Sequence, residues 1–376
     1  MTPHLWLLLI IISSPSALGR SLHKQTSCTA PILPVKSAYF YYGQAQAAAD
    51  VDASPFTHIF YAFAPMDQAT YNVMPAPNDP GTINTFSATM RRSNPKVKTL
   101  LSIGGGSSDA TAFSNMASTP TTRAAFINQS IAAARLYSFD GLDLDWEFPQ
   151  SDVDMANLGK LFAEWRAAVQ EENPKSPLLL TAAVKYNVTV AFGGAGTYPV
   201  ESIAHNLDWI NIMSYDLHGG WETETGQHTA LYDATELQTL TVNFGVKHWL
   251  EAGLPSYRGA LGLAAYGRAW YLADAAQHGV GAPASGAAPV PTFTEIQQSV
   301  AAYNGSCDHD GVTRSAFCFW TSATSPPQNV WVGFDDPVTI SAKVRYLKSQ
   351  HLRGYAFWSV GGDTNGLLFK QGKLIS

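Results

Sequence analysis

Charge is scarce in this chain. Only 14% of its 376 residues are Asp, Glu, Lys or Arg, against 46% hydrophobic. That balance argues against an intrinsically disordered protein and leaves ample apolar material for a large core. Lys and Arg total 23 against 29 Asp and Glu, a formal net charge of -6. They form no basic stripe, so nucleic acid is not an expected partner. Cysteine is rarer still: Cys28, Cys307 and Cys318. No Cys/His spacing suits zinc. Cys307 and Cys318 lie close together in a loop-rich stretch and could bridge in an oxidising compartment, which would leave Cys28 odd.

Long apolar runs are also missing. The run over residues 5–12 is shorter than the roughly 20 residues that span a bilayer, and no later segment is long enough. Small residues follow it at 13–19. Residues 1–19 therefore read as a signal peptide cleaved before Arg20, with a membrane anchor as the competing reading. The expectation is a secreted, extracellular monomer without membrane contact, the vacuole being an alternative destination. The triplets starting at Asn128, Asn187 and Asn304 are glycosylation acceptors, which fits secretion.

Strands are predicted over 37–42, 56–63, 97–103, 178–184, 209–215, 260–266 and 355–360, together with an acidic strand from Phe139. Helices are predicted over 121–137, 152–171, 237–250 and 340–349. The run at 178–184 is continuously apolar, as in a strand buried on both faces. About eight strands, most followed by a helix, predict an α/β fold of the (β/α)8 TIM-barrel type, with a doubly wound open sheet as the rival. Residues 20–270 and 336–376 would form the barrel. Residues 271–335, rich in Gly, Pro, Ala and Ser, are too long for a structureless loop and read as a small α+β insertion subdomain after strand seven.

The acidic strand is the centre of interest. Asp143, Asp145 and Glu147 alternate with Leu142, Leu144, Trp146 and Phe148. In an extended strand this puts the three carboxylates in a row on one face and the apolar residues on the other. Buried charges are costly unless paired, hydrogen-bonded or used. Barrel active sites lie at the C-terminal ends of strands. Glu147, last in the row, is the best-placed proton donor, its pKa raised by neighbouring carboxylates and aromatic walls. The deeper pair Asp143 and Asp145 would share a proton. A calcium loop would need a Gly after the third ligand, and none follows. A carboxylate-bound magnesium or manganese ion is a competing reading. Other strand ends carry Ser102, then Met213, Tyr215 and Asp216 with Trp221 beyond, then Tyr266 and Arg268, then Trp358. The glycines after Ser102 lack the Gly-Lys-Ser/Thr of a phosphate loop. Ten Trp and 16 Tyr supply core, and also flat surfaces on which sugar rings stack.

Taken together, the chain resembles family 18 glycoside hydrolases, and among them plant class V chitinases. The resemblance rests on Asp140, Asp143, Asp145 and Glu147 in D-x-x-D-x-D-x-E spacing and on Ser102, Gly104 and Gly105. It rests equally on Met213, Tyr215 and Asp216 and on the strand-eight Trp358. It implies a secreted, endo-type, retaining enzyme that cleaves β-1,4 bonds in chitin and chito-oligosaccharides. Such enzymes work by substrate assistance, through an oxazolinium intermediate and without metal or cofactor. The implied catalytic residues are Glu147, Asp145, Asp143 and Tyr215. Asp216, Met213, Trp358, Tyr266, Arg268, Trp221 and Ser102 would bind substrate. A glycan-binding lectin or inhibitor on the same barrel is the alternative.

Overall fold

Strands rich in apolar residues on both faces need cover on both sides; here a ring of helices covers the outer face and the strands' own side chains fill the inside. The computed structural model describes residues 33–79, 81–191, 195–233 and 239–374. The predicted leader 1–19 and Cys28 lie outside them. The elements run β1 (Val35–Tyr41), β2 (His58–Ala64), α1 (Thr82–Ser93), β3 (Lys98–Gly104), α2 (Ala110–Ser118), α3 (Pro120–Leu136), β4 (Gly141–Asp145) and α4 (Asp152–Glu172). They continue with β5 (Leu179–Lys185), β6 (Thr189–Ala191), β7 (Ala195–Thr197), α5 (Val200–Asn206), β8 (Trp209–Met213), α6 (Val242–Glu251) and β9 (Gly259–Ala264). Then come β10 (Arg268–Leu272), β11 (Ala284–Ala287), α7 (Phe293–Tyr303), β12 (Ser306–Asp310), β13 (Ser315–Thr321), β14 (Asn329–Phe334), α8 (Pro337–Ser349) and β15 (Gly354–Trp358).

Eight parallel strands close into a barrel in the order β1-β15-β9-β8-β5-β4-β3-β2. This is the (β/α)8 architecture. Outward residues such as Leu142, Leu144, Leu180, Ile210 and Leu261 meet Phe162, Trp249 and other helix residues in the main core. The interior holds a second cluster of Val35, Tyr39, Phe60, Leu100, Trp209, Ala260 and Ala356. Toward the C-terminal ends of the strands this filling gives way to buried polar residues, among them Ser102, Asp143, Thr181 and Asn211.

Helix ends follow their caps. Thr119 accepts from the Thr122 amide, and Pro120 takes the first turn of α3, so that helix starts before the predicted residue 121. Thr241 caps α6 and sets its start at Val242, later than the predicted 237. Helices α1, α2 and α5 were not anticipated. All are short, and α1 and α2 are rich in Ser, Thr and Asn, although Ile83, Phe86 and Met90 of α1 keep a helical spacing.

Between β9 and α8 lies an antiparallel sheet in the order β11-β10-β14-β13-β12, with α7. Arg268 pairs with Gly333 in this sheet, three residues ahead of the expected boundary at 271. Cys307 and Cys318 face each other in register on β12 and β13 and are joined by a disulfide.

Candidate active site

Strand β4 delivers the acidic row. Its register sets Asp143 beside Ser102 of β3 and Thr181 of β5, and Asp145 beside Gly104 and Ala183. Asp143 is fully buried. Its Oδ2 accepts from the hydroxyls of Ser102 at 2.7 Å and Tyr39 at 3.1 Å. Its Oδ1 accepts from Thr181 at 2.5 Å. Burial pushes the Asp143 pKa up to about 6, against the pull of these three donors. Asp145 is raised well above the usual carboxylate range by burial first, then by the charges of Glu147 and Asp143. Among the described residues, its buried Oδ1 has no hydrogen-bond partner. The ordering favours the proton on Asp145 and the charge on Asp143. Asp140, at the foot of the strand, points away. It binds Arg91 at 2.7 Å and Lys98 at 2.9 Å and accepts from the Thr99 amide, tying β4 to its neighbours.

Glu147 lies past the strand end. Burial, and after it the charge of Asp216, lifts its pKa to about 7, as a general acid working near neutrality requires. The chain behind it has no room to spare. A Cβ on Gly104 would meet the Asp145 carbonyl at 2.1 Å, and the φ there is +118°. A Cβ on Gly106 would stand 3.2 Å from Glu147 Oε1. Glycine lets strand β3 end flat against the carboxylates.

Asp145 and Glu147 open into a cavity of about 410 Å³. Tyr215, Met213, Asp216, Tyr266, Arg268 and Trp358 also line it. Burial raises the Tyr215 hydroxyl well above its usual pKa, with Asp145 and Glu147 adding to the effect. It is therefore a neutral hydrogen-bond donor. Asp216 accepts from Tyr266 at 2.6 Å and from Arg268 Nε at 2.7 Å. Burial would raise it, but His228 and Arg268 hold it far below the ordinary carboxylate range. Trp358 stacks on Phe63, ring centroids 5.4 Å apart.

The chain from residue 37 to residue 363 matches the glycosyl hydrolases family 18. The chain belongs to that family. A class V chitinase from Arabidopsis thaliana is 40% identical over 346 residues, which is 90% of this chain and 88% of that protein. A class V chitinase mutant from Nicotiana tobaccum, solved in complex with NAG4, superposes with a TM-score of 0.85 at 35% identity, covering 91% of this chain and 98% of the other. A chitinase-like agglutinin from Robinia pseudoacacia has a TM-score of 0.82 at 37% identity, with coverages of 91% and 99%.

Within this family 18 site, most of the predicted residues converge. Two do so differently. Ser102 is fully buried, spends its hydroxyl on Asp143 and is not among the residues that line the cavity. Trp221 is 62% exposed. It stands at the rim with the Arg268 guanidinium 5.3 Å over its ring. Phe148, expected on the packing face, lines the cavity instead, together with Phe63, Gly106, Lys185 and Tyr186. Of these, Lys185 and Tyr186 carried a readable signal, a polar pair at the C-terminal end of a barrel strand.

Proposed function

We propose that this glycoside hydrolase is an endo-acting chitinase. It would cleave β-1,4 bonds between N-acetylglucosamine units with retention of configuration, using the substrate's own acetamido oxygen as nucleophile. Glu147 protonates the leaving oxygen and later deprotonates the incoming water. Asp145 hydrogen-bonds the acetamido N–H and stabilises the oxazolinium ion. Tyr215 holds the acetamido group in line, Asp143 tunes Asp145, and Trp358 floors the sugar. Met213, Asp216, Tyr266, Arg268 and Trp221 border the path of the glycan. No residue in this scheme calls on a metal.

One observation carries the reading. Apart from the acid Glu147, the cavity offers two carboxylates, and neither is fit to attack. In the free protein, burial and its neighbours favour the protonated form of Asp145, which shares that proton with Asp143 and carries charge only on turning outward to the acetamido group. Asp216 is locked to Arg268 and Tyr266. A nucleophile that comes with the substrate fits this arrangement. The complex of the Nicotiana relative with NAG4 supports this substrate class. The agglutinin relative supports a binding-only alternative, but the presence of both Glu147 and Asp145 in the cavity favours hydrolysis. Secretion through residues 1–19 belongs to the same reading.

The test is a defined N-acetylglucosamine hexamer, with product sizes and anomeric configuration followed from the first turnover. Even-numbered, β-configured products are expected. Inverted products, or binding without cleavage, would overturn the reading.

A further inference from the structure

Strand β8 carries a second inward row whose deeper half does not reach the cavity. Trp209 and Asn211 are two residues apart, so they share a face of the strand. Both are almost wholly buried. The indole Nε1–H of Trp209 donates to Asn211 Oδ1 at 3.0 Å. An indole nitrogen can only donate. That bond therefore decides which end of the Asn211 amide is oxygen, a choice that geometry alone often leaves open. It turns Nδ2 toward Tyr39, whose hydroxyl oxygen accepts at 2.8 Å. A phenol has one proton to give. With its oxygen engaged by Asn211, the Tyr39 proton goes to Asp143 Oδ2.

We infer that Asn211, oriented by Trp209, is a positioning residue: it fixes the direction of the Tyr39 O–H so that Asp143 receives a third donor and stays the anion of the Asp143–Asp145 pair. The inference rests on the proposed mechanism for its catalytic meaning and on geometry for its substance. The donor counts differ sharply across the pair. Asp143 accepts from Ser102, Tyr39 and Thr181, whereas buried Asp145 Oδ1 has no donor among the described residues. The titratable groups facing Asp143 are Tyr39 from β1, Asp145 from β4 itself and Tyr215 past the end of β8. The neighbours from β3 and β5 are the neutral hydroxyls of Ser102 and Thr181. A reversed Tyr39 hydroxyl would take one donor from Asp143 and move the shared proton inward, away from the cavity.

The experiment follows the carboxyl 13C titration of Asp143 in the unliganded protein, assigned with Asp143→Asn. It compares wild type, Asn211→Leu, Tyr39→Phe and the Tyr39→Phe/Asn211→Leu double variant. Loss of a donor to a buried anion is expected to raise the Asp143 titration by about one pH unit in Asn211→Leu. In the Tyr39→Phe background, Asn211→Leu is expected to add no further shift, because its effect passes through the hydroxyl. Trp209→Phe, which frees the amide to turn over, should give a smaller shift in the same direction, and it serves if Asn211→Leu does not fold. The acidic limb of kcat/KM on the hexamer should move up in parallel. An unchanged Asp143 titration in Asn211→Leu or Trp209→Phe would overturn the inference, as would a full Asn211→Leu shift persisting without the Tyr39 hydroxyl. The titration is read without substrate, so its outcome is independent of whether the wild type cleaves the hexamer.

Discussion

Asp216 and Arg268 form a two-point ion pair, Oδ1 to Nε at 2.7 Å and Oδ2 to Nη2 at 2.6 Å, on the wall of the cavity that holds Glu147. The pair keeps Asp216 charged at all working pH values. That fixed charge, added to burial, holds Glu147 near pH 7.

Asp216→Asn should therefore shift the pH profile. Glu147 must carry its proton to act as an acid, so its pKa sets the alkaline limb of kcat/KM. Removing a negative neighbour lowers that pKa, and the Arg268 charge left behind lowers it further. The alkaline limb is expected to move to lower pH by roughly half a unit to one unit. A profile measured from pH 4 to 9 on a soluble oligosaccharide checks it. An unmoved or upward-shifted limb would show that Asp216 does not set the acidity of Glu147.

Glu147→Gln retains the shape of the acid and removes its proton transfer. Turnover is expected to fall by at least about 10²-fold, with tetramer affinity by calorimetry near that of the wild type. Wild-type turnover in this variant would remove Glu147 from the mechanism.

Much of this site was legible in the sequence because a barrel strand reports its inner and outer faces by simple alternation. Leu142 and Leu144 pack outward while Asp143 and Asp145 point inward, as their spacing required. Depth was not legible. Ser102 and Asp145 both sit near strand ends, yet the register sets Ser102 beside Asp143, one layer below the cavity floor. A residue's layer depends on how neighbouring strands are staggered, and no single strand encodes that. Phe63, Phe148, Lys185 and Tyr186 come from three separate segments and meet only on closure of the barrel. Phe148 escaped the alternation because strand β4 ends at Asp145, after which period two no longer assigns a face.

Chelation should leave activity unchanged. Metal ligands must be deprotonated, whereas burial and neighbouring charge favour the protonated form of Asp145, and Asp143 already accepts from three hydroxyl donors. Asp216 is spent on Arg268. Dialysis against EDTA is expected to alter the hexamer cleavage rate by less than about twofold, and magnesium or manganese should not raise it. A loss restored by either ion would revive the metal reading of the acidic row.

Gly104 and Gly106 stand two residues apart and should fail in different ways when changed to alanine. At Gly104 the new methyl would lie 2.1 Å from the Asp145 carbonyl, at a backbone φ of +118°. Neither the clash nor the φ can be relieved by a side-chain turn, so Gly104→Ala should lose stability by about 1–3 kcal/mol or more. At Gly106 the methyl meets the carboxylate end of Glu147 at 3.2 Å, and a carboxylate can swing aside. Gly106→Ala should therefore keep nearly the wild-type Tm but lose turnover, roughly 10-fold for a displaced acid. Thermal unfolding and kcat measured on the two variants separate these outcomes. Equal losses of Tm in both would mean that the β3 end is a packing feature alone, with no part in placing Glu147.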